Sequence, residues 1–342
     1  MRKWKNSASA GIRRIRNGIT HSDLDLRLSL TLIRTYYCSG YPNAARFLAS
    51  LGKGVVALDL DFEAPGLHYK LGGGQSYLDD HRSSNFPLPP GGAVTYLIAT
   101  AEGAASPPSF DDHMMSVPVP TDTGGWLRLM PAGPAPRQSY WASLKELGDR
   151  LRFGESSGRG FMALLDLQAR IAEELKPDYL LIDARTGVTE LGGLATTVLA
   201  DTVVCLFVLN QESLEGTLTV VEALKGTPRL ANQPPIRVVP VLSRMISPPF
   251  TNNRFAGDLK SLLKFGEGRK GHRPKGLELF SLPDDVMFRV TATIGAGDEK
   301  LDSSSPILEA YLELFQTLFA TRKGDARRAL KGLADSAMIG LQ

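Results

Sequence analysis

The sequence predicts a doubly wound α/β domain built on a mainly parallel sheet. Three observations carry that prediction. Short apolar, β-branched runs recur along the 342 residues, and they are apolar on both faces instead of alternating, as strands covered on two sides must be. Helix-patterned stretches separate these runs. No long linker splits the series, so a single domain accounts for it.

The runs at 31–37, 54–60, 126–130, 179–183, 202–209, 236–242 and 277–282 read as strands of a seven- or eight-stranded sheet. Between them, 43–51, 161–175, 213–224 and 306–319 read as helices. In 161–175 the apolar residues Leu164, Leu165, Leu167, Ile171 and Leu175 recur at helical spacing. Two stretches read as insertions. The first, 72–116, is rich in Gly, Pro and Ser around Pro87–Gly92 and reads as a mobile surface loop with a short helix near 94–100. The second, 248–274, ends in a basic cluster with Lys264, Arg269, Lys270, His272 and Arg273, which reads foremost as a solvated loop. Residues 1–30 read as a poorly ordered basic leader, 31–322 as the domain and 323–342 as a C-terminal tail. Its basic, partly apolar start reads as a solvated terminal helix.

Composition excludes several classes. Hydrophobic residues make up 43% and charged residues 22%, a globular balance and not a disordered one. The most apolar stretch, 194–209, is broken by Asp201 and is shorter than a bilayer span, so no transmembrane segment is expected. Cys38 and Cys205 make no disulfide framework, which fits a reducing, cytoplasmic setting. The five histidines (His21, His68, His81, His113 and His272) show no paired metal-ligand spacing. Residues 1–34 hold eight basic and two acidic residues, a charge of +6, whereas the whole chain carries only +3; the body is mildly acidic. Nucleic-acid binding is not expected, because the basic loop lacks interleaved aromatics and a strong charge excess.

Two segments carry chemistry. The run at 55–60 ends in Asp59 and Asp61, two apart and before a Pro65-Gly66 turn. Ligands of open α/β sheets sit at the carboxyl ends of the strands, and residues i and i+2 of a strand share a face. Paired carboxylates there suit a hydrated Mg²⁺ or an attacking water; equally, Asp59 can cap a turn and Asp61 be solvated. The second segment runs from Asp178 through an apolar strand to Asp183, then Arg185, Thr186 and Gly187. A strand-end carboxylate followed by a glycine turn is a Walker-B-like arrangement for Mg²⁺ and a γ-phosphate.

Together these phrases resemble the MinD/ParA superfamily of deviant-Walker-A ATPases, in particular the bacterial branch whose phosphate loop reads KGGxGR. Residues 59–67 are similar to that branch's DLDLEAPGL and residues 178–187 to its DYVLIDSRTG. Residues 206–216 resemble the strand and helix start that follow, and Pro131-Ala132-Gly133 its PAG turn. The resemblance covers about 31–320. It implies a P-loop NTPase-like fold, ATP and Mg²⁺ as ligands, and hydrolysis coupled to a nucleotide-sandwiched homodimer that acts on a protein partner the sequence does not specify. It gives Asp61 the role of orienting the hydrolytic water and places Asp59 and Asp183 at the metal. Gly187 becomes the switch glycine, and Arg185 a phosphate or partner contact.

The phosphate loop departs from the pattern. Between the first strand and the first helix stand Tyr36-Tyr37-Cys38-Ser39-Gly40-Tyr41-Pro42-Asn43. The end of the family phrase is present in Asn43–Leu48, but about ten residues before it, with the Lys, the glycine cluster and the Mg²⁺-binding hydroxyl, have no counterpart. Ser39 and Gly40 are the residues left to contact a phosphate, and Pro42 removes an N–H donor. Three readings follow: an ATP switch with an unusual loop, a non-hydrolysing interaction or scaffold module on the same fold, or the product of a damaged gene or gene model. The basic leader marks where the chain leaves the family pattern.

Overall fold

The computed structural model describes residues 28–34, 40–71, 88–101, 107–119, 123–135, 137–151, 159–184, 193, 195–225, 235–245, 279–284 and 306–336. The described residues form one eight-stranded sheet. Its strands are β1 (Leu28–Arg34), β2 (Gly54–Asp59), β3 (Met115–Val117), β4 (Trp126–Met130), β5 (Tyr179–Ala184), β6 (Thr202–Phe207), β7 (Arg237–Met245) and β8 (Phe280–Pro283), in the order β3-β4-β2-β5-β1-β6-β7-β8. Every pairing is parallel except β3 with β4. The helices are α1 (Gly40–Ser50), α2 (Leu67–Leu71), α3 (Ala93–Ala101), α4 (Gln138–Leu151), α5 (Arg159–Arg170), α6 (Gln211–Lys225), α7 (Pro306–Phe319) and α8 (Lys323–Ser336). Short π-helical segments occupy Ile171–Leu175 and Ala195–Leu199.

The sheet divides the core in two. Residues in register on parallel strands share a face. Val55 and Ala57 of β2, Leu181 of β5 and Val204 and Leu206 of β6 point to the side covered by α1, α7 and α8. There α1 is buried nearly all round, because Tyr41, Ala44, Ala45 and Leu48 fall at helical spacing against the sheet. Its Phe47 ring meets Phe315 of α7 at 4.8 Å between centroids. The opposite residues, Val56, Leu58, Leu180 and Ile182, pack on α3, α4 and α5. Val203 and Cys205 of β6 pack on α6. Pro240 lacks an N–H, and β7 tolerates it because pairing with β8 begins only at Val241.

Several sequence expectations change. The first strand starts at Leu28 instead of residue 31, and the first helix at Gly40 instead of 43. Helix α4, strand β3 and α2 were not read from the sequence; α4 has only Tyr140, Leu147 and Leu151 buried, too sparse a stripe to stand out. The expected loop at 72–116 is in part core. Helix α3 buries Val94, Tyr96 and Leu97, and Phe110 and Met114 join the same cluster. Arg170 of α5 fastens this insertion: its guanidinium donates to the Tyr96 hydroxyl and to the Pro108 carbonyl (3.1 Å) and lies 4.8 Å from the Phe110 ring centre. The expected tail opens with α8, which is not a solvated helix, because it buries Ala326, Ala329, Leu330 and Leu333 against the body. The leader up to residue 27 and the basic loop at 248–274 lie outside the described residues.

Candidate strand-end site

Asp59 closes β2 and Asp183 lies one residue before the end of β5, and the two face each other in register. Both are fully buried on the α1 side of the sheet. The backbone N–H of Leu60 donates to the Asp183 carbonyl at 2.9 Å, so the two strands stay joined one step past the aspartates. Adjacent parallel strands run about 4.8 Å apart, which brings the two carboxylates together.

The loop after β2 is wrapped around Asp59. Its Oδ1 accepts the N–H of Asp61 at 3.1 Å and its Oδ2 accepts that of Leu67 at 3.2 Å. One carboxylate thus holds both ends of the segment 61–67, including the Pro65-Gly66 turn. Asp61 is half-buried, and its Oδ1 accepts the Ala64 N–H at 3.3 Å. The turn delivers α2, whose His68 is fully buried with its ring 4.1 Å from that of Tyr69. Burial pushes the His68 imidazole down to about 4, so it is neutral at physiological pH.

Helix α1 approaches the same strand ends from above. Tyr41, its second residue, is fully buried. Its hydroxyl donates to the Leu181 carbonyl at 2.5 Å and accepts the Leu58 N–H at 3.1 Å. The phenol therefore bridges β2 and β5 directly beneath the aspartates. Arg46 is the cation of α1; its Nη2 donates to the Lys70 carbonyl of α2 at 3.3 Å, and burial lowers its pKa.

These residues test the fit of an ATP–Mg²⁺ pair. A phosphate cradle needs successive N–H groups on a glycine arc at a helix N-terminus, with a cation beside them. The connection from β1 to α1 is the five residues Thr35-Tyr36-Tyr37-Cys38-Ser39, without glycine or lysine, and α1 carries Pro42 as its third residue. Among the described residues, no group of three or more His, Cys, Asp and Glu can hold a metal ion. The described residues do not form a triphosphate cradle.

Of the sequence-predicted site residues, Asp59, Asp61 and Asp183 converge. Gly40 opens α1, while Ser39, Arg185 and Gly187 lie outside the described residues. Tyr41 and His68 belong to the site and were not anticipated. The signal for Tyr41 was an aromatic residue standing where a phosphate loop would feed its helix; His68 had only its place after the Pro-Gly turn.

No family model matches the sequence, and no curated protein matches it. Solved structures match along most of the chain. Apo McdA from Cyanothece is 16% identical at a TM-score of 0.50, with 89% of this chain and 99% of that chain covered. A ParA family ATPase from Chlorobium tepidum TLS is 14% identical at a TM-score of 0.47, covering 92% and 98%. The septum site-determining protein MinD from Pyrococcus horikoshii OT3, complexed with Mg-ADP, is 14% identical at 0.46, covering 90% and 94%. Identities this low speak for the fold alone. With McdA matched nearly end to end, and a parallel sheet carrying strand-end aspartates in register, the chain has the ParA/MinD-type P-loop NTPase fold.

Proposed function

We propose that this chain is a non-hydrolysing interaction module built on the ParA/MinD fold. The observation that carries this reading is the β1–α1 connection: five residues with no glycine or lysine, leading into a helix with proline at its third position. Such a connection offers no glycine arc and no cation to a triphosphate. The use of Asp59 supports the same view, since both of its oxygens are taken by backbone amides of its own loop. A module of this kind acts in the cytoplasm through a protein partner or a second copy of itself, and not through nucleic acid. Among the described residues, no helix is long and apolar enough to cross a membrane.

One observation favours a rival reading, an ATP-dependent dimer switch: Asp59 and Asp183 stand in register at the strand ends. In that reading Asp59 and Asp183 are the metal-side carboxylates, Asp61 is the catalytic one, and Ser39, Gly40, Arg185 and Gly187 contact the nucleotide. Titration calorimetry separates the two. Wild-type protein and Asp183→Ala are each titrated with millimolar MgATP. The interaction-module reading expects no heat from either. Heat from wild type that vanishes in Asp183→Ala would establish the switch instead.

A further inference from the structure

We propose that Tyr41 is a built-in lock that holds the carboxyl ends of β2 and β5 together, keeping the aspartate-bearing site assembled without a ligand. The inference deepens the interaction-module reading and rests on it for the statement that no ligand does this work.

The argument starts from the strand register. Leu58 pairs with Ile182 and Asp59 with Asp183. The Tyr41 hydroxyl takes the N–H of Leu58 and gives its proton to the carbonyl of Leu181. It therefore spans both strands at the step just before the aspartates. A buried hydroxyl has one proton to give and lone pairs to accept with, and here both capacities go to the sheet. The side chain is wholly removed from solvent, so these bonds form in a medium of low dielectric, where leaving a partner unsatisfied is costly.

The location matters as much as the bonds. The bridge sits at the step that carries Asp59 and Asp183, two buried carboxyl groups in register. Arg46, the nearest cation of α1, is committed to the Lys70 carbonyl. The Asp59 oxygens accept backbone N–H groups of the 61–67 loop. The parallel ladder runs through Leu58↔Ile182 and Asp59↔Asp183 and on to the Leu60-to-Asp183 backbone bond, and the Tyr41 bridge adds a side-chain tie at the same end. Tyr41 is carried by α1, and α1 is packed by Phe47 on Phe315 and Phe319 of α7. The lock is therefore anchored in the largest core cluster and not in a loop.

The test is amide hydrogen exchange on the full chain, comparing wild type with Tyr41→Phe, with and without millimolar MgATP. Tyr41→Phe keeps the ring and removes only the hydroxyl. The lock predicts that the Leu58 amide exchanges roughly tenfold faster in Tyr41→Phe, while Val55 at the start of the same strand is unchanged. Equal Leu58 exchange in the two proteins overturns the lock. Should Tyr41→Phe not fold, the wild type decides: Leu58 exchanging as slowly as the slowest core amides supports the lock, and Leu58 exchanging faster than its β2 neighbours overturns it. Slower exchange of wild type on adding MgATP would sink the interaction-module reading and leave the Leu58 comparison, made without nucleotide, to judge the lock separately.

Discussion

Asp59 shows how one residue can serve structure at a place where chemistry is expected. Its carboxylate is buried, yet each oxygen has a backbone N–H, so its burial is compensated by two charge-assisted bonds. His68 solves burial differently, by staying neutral. Its pKa falls from 6.5 to about 4 because the charged form is excluded from its dry surroundings. A base with a depressed folded pKa binds fewer protons folded than unfolded between those two values. Its effect on stability is absent above pH 6.5, grows as the pH falls toward 4, and is destabilising there by about 3 kcal/mol. His68→Gln should flatten this part of the pH profile, measured as urea midpoints between pH 7 and pH 4; a variant whose midpoints fall as steeply as those of wild type would refute the assignment. Cys205 makes the same point for a thiol: burial pushes it up to about 12, so it packs as a small apolar residue. At this scale the sequence exposed the aspartates, because strand-end carboxylates follow a pattern. The partners of Tyr41 and the burial of His68 arise from α1 and α2 meeting the sheet, which no local spacing encodes.

Among the elements, α8 is the most instructive. Its buried face is Ala326, Ala329, Leu330 and Leu333, a spacing of three and four that is visible in the sequence. Two of the four are alanines, and the opposite face is basic, so the stripe reads weakly against the charge around it. The packing decides otherwise: α8 lies on α1 and α7 and covers the helix that carries Tyr41. Leu330→Ala and Leu333→Ala should each destabilise the fold by about 2–4 kcal/mol, whereas Arg327→Ala, which loses a surface ion pair with Glu309, should cost about 0.5 kcal/mol. Equilibrium urea unfolding checks both; equal small effects for all three would mean α8 is only loosely attached. The strands were more legible than the helices, since β2, β5 and β6 are buried on both faces along nearly their whole length and are apolar apart from Asp59, Asp183 and Thr202. Strand β3 has three residues and the opposite direction, too little pattern for any periodicity to reveal.

At the scale of the molecule, the ParA/MinD-type fold is present, while the five residues between β1 and α1 contain no glycine or lysine. The strand order, the in-register aspartates and the loop fastened to Asp59 are all in place. This gives a direct experiment. Replacing the residues between Tyr37 and Asn43 with a KGGxGRS loop removes Tyr41 and supplies N–H groups, a cation and a hydroxyl together. The expected outcome is a folded protein that now yields heat with MgATP in calorimetry. A folded variant that stays silent would show that the loop is not the sole deficit. The doubly wound class was legible because burying both faces of a parallel sheet leaves its mark on every strand. The lock and the buried insertion were not, because they depend on contacts between residues as far apart as Tyr41 and Leu181 or Tyr96 and Arg170.

The position of β1 carries a last consequence, for synthesis. It precedes the other described strands in the chain, yet its two neighbours are β5 at Tyr179–Ala184 and β6 at Thr202–Phe207. At ribosomal rates of 5–20 residues per second, about 8–30 s pass between translation of β1 and of its first partner. During that interval an apolar strand has both edges open on the nascent chain. Arg27 precedes it and Arg34 is its last residue, and the sequence before it is strongly basic. Charge next to an open strand edge disfavours pairing with another copy of the same strand.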